Sequence, residues 1–141
     1  MHVWRRRGHA ADDGLRSRLA LAPTLAAVCE ADLGRLAAQA RERRYLEGDV
    51  IVHEGEPGAG FFILVEGAAS VSVEGMMVRG LAPGDVFGEV ALLYGRPRSA
   101  TVIAATDAIC LLLDSRQFAG FLADHTAVAH ELRGRIAHYA P

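Results

Sequence analysis

No lysine occurs anywhere in the 141 residues; all fifteen basic residues are arginine. The bias reads as GC-rich coding, since no chemistry requires it throughout a chain. Fifteen basic residues meet seventeen acidic ones, for a formal net charge of −2. That balance excludes nucleic-acid binding that rests on bulk charge. The two cysteines, Cys29 and Cys110, stand far apart, and neither has a neighbour at metal-ligand spacing. One bridge does not make a disulfide scaffold, and a cluster-type redox sensor needs about four cysteines. Both are expected as small core residues in a reduced compartment. The longest apolar stretch, from Leu19 to Cys29, covers about eleven residues around Pro23, against the roughly twenty that span a bilayer. Arg5-Arg6-Arg7 has no apolar run directly behind it, so the N-terminus is not a secretory signal. A soluble cytoplasmic domain is the expectation.

What is present is enough apolar material for a folded core: 51% hydrophobic and 23% charged residues, in the length of one domain. Residues 1–13 read as a tail or linker and 14–141 as the domain. From about Gly14 to Arg44 glycine is scarce, and Leu33, Leu36, Ala37 and Ala40 form one helical stripe with Asp32 placed to complement the dipole. From Tyr45 to Asp114 glycines punctuate short runs such as Val50–Val52, Phe61–Val65 and Ala69–Val73, with turn signals every eight to twelve residues. That is the pattern of an all-β sandwich or barrel. Ala100–Ala104 and Ile109–Leu113 read as two later strands. After Ser115, a plausible N-cap, Phe118, Phe121 and Leu122 make a helical stripe. Val128, Leu132, Arg135 and Ile136 suggest a last helix running towards Tyr139. The fold class is α+β: an antiparallel, jelly-roll-like β roll with helices before and after it.

One segment breaks the strand rhythm, Phe87-Gly88-Glu89-Val90-Ala91-Leu92-Leu93-Tyr94-Gly95-Arg96-Pro97-Arg98-Ser99-Ala100-Thr101-Val102. Glu89 to Leu93 reads as a short helix inserted between strands, and its first N–H groups favour an anion. Gly88 lets a ligand approach the backbone. Arg98, set by Pro97, and the Ser99 hydroxyl suit a phosphate. A carboxylate at Glu89 beside a phosphate needs a donor of its own, and a sugar hydroxyl is one. Phosphate with a sugar hydroxyl means a nucleotide.

The segment resembles the phosphate-binding cassette of cyclic-nucleotide-binding domains: Phe-Gly-Glu, small or apolar residues, a spacer, then Pro-Arg-Ser-Ala-Thr. The likeness extends to Gly48-Asp49-Val50-Ile51, Glu54-Gly55-Glu56-Pro57-Gly58, Phe61 to Gly67 and Leu81-Ala82-Pro83-Gly84-Asp85, roughly residues 20 to 139. It implies that Arg98 neutralises the cyclic phosphate, with Ser99 and the N–H groups near Ala91 and Ala100 adding hydrogen bonds. Glu89 takes the ribose 2′-hydroxyl, and Gly88 lets the sugar lie against the chain, with Phe87 and Val90 beside them. The purine sits between residues such as Val73 and a lid from the last helix, where Tyr139 stands at the capping position and Arg135 one turn earlier.

The function so implied is that of a non-catalytic sensor. It needs no cofactor, binds cAMP (cGMP more weakly) and moves its last helix towards an effector on the same or another chain. The overall pattern resembles bacterial cyclic-nucleotide-regulated potassium channels, so the effector is a membrane channel and the chain its cytosolic part at an inner membrane. A standalone sensor is the alternative, and oligomers through the N-terminal helices are compatible with either. A cupin-like metalloenzyme is the unlike reading. It suffers because His53 stands alone in the roll while His125, His130 and His138 fall on terminal helices.

Overall fold

Short apolar runs closed by glycine turns pair into two antiparallel sheets. The computed structural model describes residues 28–57, 60–88 and 97–131. In chain order these form α1 (Glu30–Gln39), β1 (Arg41–Tyr45), β2 (Val50–Val52), β3 (Gly60–Glu66), β4 (Ala69–Val73), β5 (Met76–Leu81), β6 (Val86–Phe87), β7 (Thr101–Ala104), β8 (Ala108–Asp114) and α2 (Ser115–Asp124). Residues 126–131 are helical again. One sheet has the order β1-β8-β3-β6 and the other β2-β7-β4-β5. Non-sequential neighbours with antiparallel pairing throughout make a jelly-roll sandwich, as the sequence pattern led us to expect.

Alternation along β3 divides the apolar residues between two cores. Phe62 and Leu64 join Val71, Leu81, Phe87, Val102 and Cys110 between the sheets. Phe61, Ile63 and Val65 face the helices and meet Leu33, Leu36, Ala37, Phe118 and Val128. β3 is therefore buried on both faces, which explains its unbroken apolar run. The α1 stripe lies where its spacing put it, with Leu33, Leu36, Ala37 and Ala40 all buried. Phe118 stacks on Phe61 with ring centroids 4.3 Å apart.

Several expectations are corrected. The helical zone ends at Gln39, and Arg41–Arg44, read as its continuation, form β1 against β8, with Glu42 opposite Leu111. β1 lies at a sheet edge, and four of its five residues are charged, so the sequence shows no apolar alternation although exposure alternates from Arg41 to Arg44. Helix α2 is capped by Asp114 rather than Ser115. The Asp114 carboxylate accepts from Gln117 N at 2.8 Å while Gln117 Oε1 accepts from Asp114 N at 3.0 Å, a reciprocal capping box. Cys110 is buried between the sheets, where desolvation pushes its thiol up to about 12. Cys29 is exposed, because the N-cap position of α1 lies outside the apolar stripe. The short helix read at Glu89–Leu93 and the last helix beyond residue 131 lie outside the described residues.

Candidate functional site

Arg98 is the only buried charged residue among those described, 8% exposed. Its backbone is clamped by the loop after β2: Arg98 N donates to Glu56 O and Gly55 N donates to Arg98 O, both at 2.8 Å. The glycine-turn segment Glu54–Pro57 thus has a definite task, holding the arm that carries the arginine. Its side chain enters the open end of the sandwich. Nη2 donates to Gly60 O at 3.0 Å and Nη1 to Gly88 O at 3.2 Å. Cζ stands 5.7 Å from the centroid of the Phe62 ring. Phe62 in turn stacks nearly parallel on Phe87, centroids 4.9 Å apart. The cation is thus held by two carbonyl dipoles and an aromatic face.

Gly88 has φ +92°, and a Cβ there would come within 2.6 Å of Gly60 O and 2.7 Å of Arg98 Nη1. Glycine is required at this point for a reason the sequence did not show: the guanidinium itself occupies the space beside it. Beside Arg98 lies a cavity of about 250 Å³ walled by Ile51, His53, Pro57, Phe62 and Leu112. Among the described residues expected to hold ligand, Arg98 alone lines it.

The remaining expected residues fall into groups. Phe87 is 5% exposed, so it supports Phe62 from inside the core. Ser99 is exposed and Ala100 half-buried. Ser72 pairs with Thr101, so Val73, 36% exposed, ends β4 where the arm from Arg98 enters β7. The fold therefore brings Val73, Gly88, Arg98, Ser99 and Ala100 to one end of the sandwich. Glu89, Val90, Ala91, Arg135 and Tyr139 lie outside the described residues. Phe62, Gly60 and Glu56 escaped the sequence reading. Phe62 sits in a run of apolar residues, and nothing in the run marks which ring lies under the cation.

A second link ties the loop after β2 to the β4–β5 hairpin. Glu54 N donates to Thr101 Oγ1 at 3.0 Å, and Glu54 Oε1 accepts from Glu74 N at 2.9 Å. Among the described residues no three His, Cys, Asp or Glu side chains gather as a metal site. His53 and His130 are exposed, and no described helix is long and apolar enough to cross a membrane.

A buried guanidinium at the mouth of a jelly roll, oriented by backbone carbonyls, is an anion-binding arrangement. The family described as cyclic nucleotide-binding domain matches residues 42–125, over half of the chain, and the chain belongs to that family. It is 34% identical over 96 residues to a cAMP-dependent protein kinase regulatory subunit of Hypocrea atroviridis, covering 68% of this chain and 21% of that protein. It superposes on cAMP-bound PfPKA-R with a TM-score of 0.85 at 28% identity, covering 91% of this chain and 44% of that one. On the regulatory domain of Toxoplasma gondii PKA with cAMP the TM-score is 0.81 at 28% identity, with 91% and 50% covered. The chain thus spans half or less of each relative. These relatives are kinase regulatory proteins, where the sequence pattern had pointed to bacterial channels.

Proposed function

We propose that the chain is a regulatory domain that binds cAMP and converts binding into movement of its C-terminal helix. The observation that carries this reading is the burial of Arg98 against Gly60 O and Gly88 O. Carbonyl dipoles orient a guanidinium, but a phosphate brings the full opposite charge, and charge-assisted bonds of this kind are the strong ones. The two cAMP-bound relatives support cAMP as the ligand; in this reading cGMP binds more weakly.

In this reading Arg98 takes the cyclic phosphate, joined by Ser99 and the backbone near Ala91 and Ala100. Glu89 holds the ribose 2′-hydroxyl, Gly88 and Val90 lie against the sugar, and Val73 flanks the purine under a lid from Arg135 or Tyr139. The domain is a sensor without catalysis of its own, cytoplasmic, with Ser99 a ligand and not a nucleophile. Ligand shifts a population between open and closed helix positions by its differential affinity for the two. The kinase relatives favour a kinase catalytic subunit as effector, while the sequence pattern favours a channel, on the same or another chain. The test is calorimetric titration of the chain with cAMP, 2′-deoxy-cAMP and cGMP. The reading predicts tightest binding for cAMP and clearly weaker binding for the 2′-deoxy analogue. Absence of heat with every ligand contradicts the function, and equal affinity for cAMP and its 2′-deoxy form contradicts the role of Glu89.

A further inference from the structure

The tip of the β4–β5 hairpin reaches past the ladder that holds β4 in its sheet. β4 makes its last pair with β7 at Ser72–Thr101, and Val73 then pairs with Met76 of the same hairpin. A bulge at Val78 interrupts the β4–β5 ladder just below the tip, so the regular part of the ladder does not set the tip's direction. Glu74 and Gly75 form the two-residue turn, with φ of +52° and +80°. Positive φ at both positions is what a tight hairpin of this length needs, and asparagine or glycine is its usual first residue. Glu74 is the one non-glycine residue at positive φ among those described. A side chain in that region is strained and persists where the surroundings over-determine it.

The hold comes from Glu54, whose Oε1 accepts from Glu74 N at 2.9 Å. Glu54 is itself fixed, because its N–H donates to Thr101 Oγ1 at 3.0 Å. The next two residues grip the arm that carries the arginine. Gly55 N donates to Arg98 O and Arg98 N donates to Glu56 O, both at 2.8 Å. The short segment Glu54–Glu56 therefore has its backbone on the Arg98 arm and a carboxylate on the turn beside Val73. In the proposed function these are the two ends of one ligand: Arg98 takes the phosphate and Val73 flanks the purine.

Resting on that function, we propose that Glu54 is a positioning residue for the nucleotide. Its carboxylate fixes the β4–β5 turn relative to the Arg98 arm, so that phosphate and purine are met at one preset spacing. It acts through Val73 and not by touching the ligand. A preset spacing raises affinity because binding need not order the turn.

Calorimetric titration of cAMP into the full chain and into Glu54→Ala reads the effect. Glu54 is exposed, so its truncation leaves both cores untouched. Loss of the carboxylate should weaken cAMP binding about three- to tenfold. Glu54→Gln keeps an acceptor oxygen within reach of Glu74 N and should recover most of that loss. Ribose 3′,5′-cyclic phosphate, which has no base, is titrated by displacement of cAMP. It should bind wild type and Glu54→Ala alike, since the backbone clamp on Arg98 is intact. Amide hydrogen exchange adds a readout without ligand: Glu54→Ala should speed exchange at Glu74 and leave Arg98 N–H protected. Unchanged exchange at Glu74 overturns the proposal. So does an equal loss for the base-free ligand, which would place the effect on the arginine arm. Wild type that binds no cAMP overturns the proposed function and this role with it. Normal wild-type binding that Glu54→Ala leaves unchanged overturns the role of Glu54 alone.

Discussion

In the proposed function Arg98 combines two roles that strain against each other. A guanidinium taken out of water must be oriented by polar partners, and it must still present positive charge to a ligand. Gly60 O and Gly88 O do the first, and Phe62 shields one face. Gly88 is the point where this arrangement is most easily broken. Gly88→Ala adds a Cβ at φ +92° and drives it into Gly60 O and Arg98 Nη1. The variant should lose about 1–3 kcal/mol of stability and weaken cAMP binding as well, because the guanidinium must move. Thermal unfolding together with calorimetry checks both, and an unchanged affinity would separate Gly88 from the arginine. Arg98 and Gly88 were legible in the sequence as motif positions, each with a sound chemical reason. The real constraint on Gly88 was not, since it depends on Gly60, twenty-eight positions away, arriving beside it.

At the scale of elements, α1 and α2 are tied together at both ends: Gln117 Nε2 of α2 donates to Gln39 O of α1 at 3.0 Å, and a histidine–carboxylate pair links the other end. His125, at the C-cap of α2, places Nε2 3.0 Å from Asp32 Oδ2 on α1 and Nδ1 2.9 Å from Phe121 O. Its ring also stacks on Phe121, 4.4 Å between centroids. The hydrogen bond from His125, a second from Cys29 and the charge of Arg35 hold the Asp32 carboxyl below its ordinary value of 3.8. A carboxylate depressed in the fold stabilises it above its unfolded value, and that contribution is lost as pH falls through the lower folded value. Acid unfolding should therefore steepen below pH about 4, and Asp32→Asn should flatten that limb. Melting temperatures of both proteins from pH 6 to pH 3 test this, and parallel curves would contradict it.

The strands of the roll were readable because glycine turns and period-two alternation are local signals. β1 was not, because a polar edge strand is defined by its partner β8, and pairing overrides propensity there. The cap of α2 was misplaced by one residue because Asp114 and Ser115 are both good N-cap residues. Only the reciprocal bonds with Gln117 choose between them.

Across the whole molecule, the jelly roll joins the Arg98 end to the helix layer through one shared strand. Sheet β1-β8-β3-β6 carries one core shared with the helices and another shared with the facing sheet, so β3 transmits packing from the Arg98 end to α1 and α2. Phe62 lies under the guanidinium, and its neighbour Phe61 stacks on Phe118 of α2. Charge neutralised at one face of β3 therefore borders the helix layer on the other. All of this depends on a phosphate meeting Arg98. The most direct measurement is calorimetric titration of cAMP into the wild-type chain and into Arg98→Ala. Loss of the charge-assisted contact should cost about 2–4 kcal/mol, a weakening of roughly 30- to 1000-fold. A folded Arg98→Ala protein that binds cAMP within threefold of wild type would contradict the account.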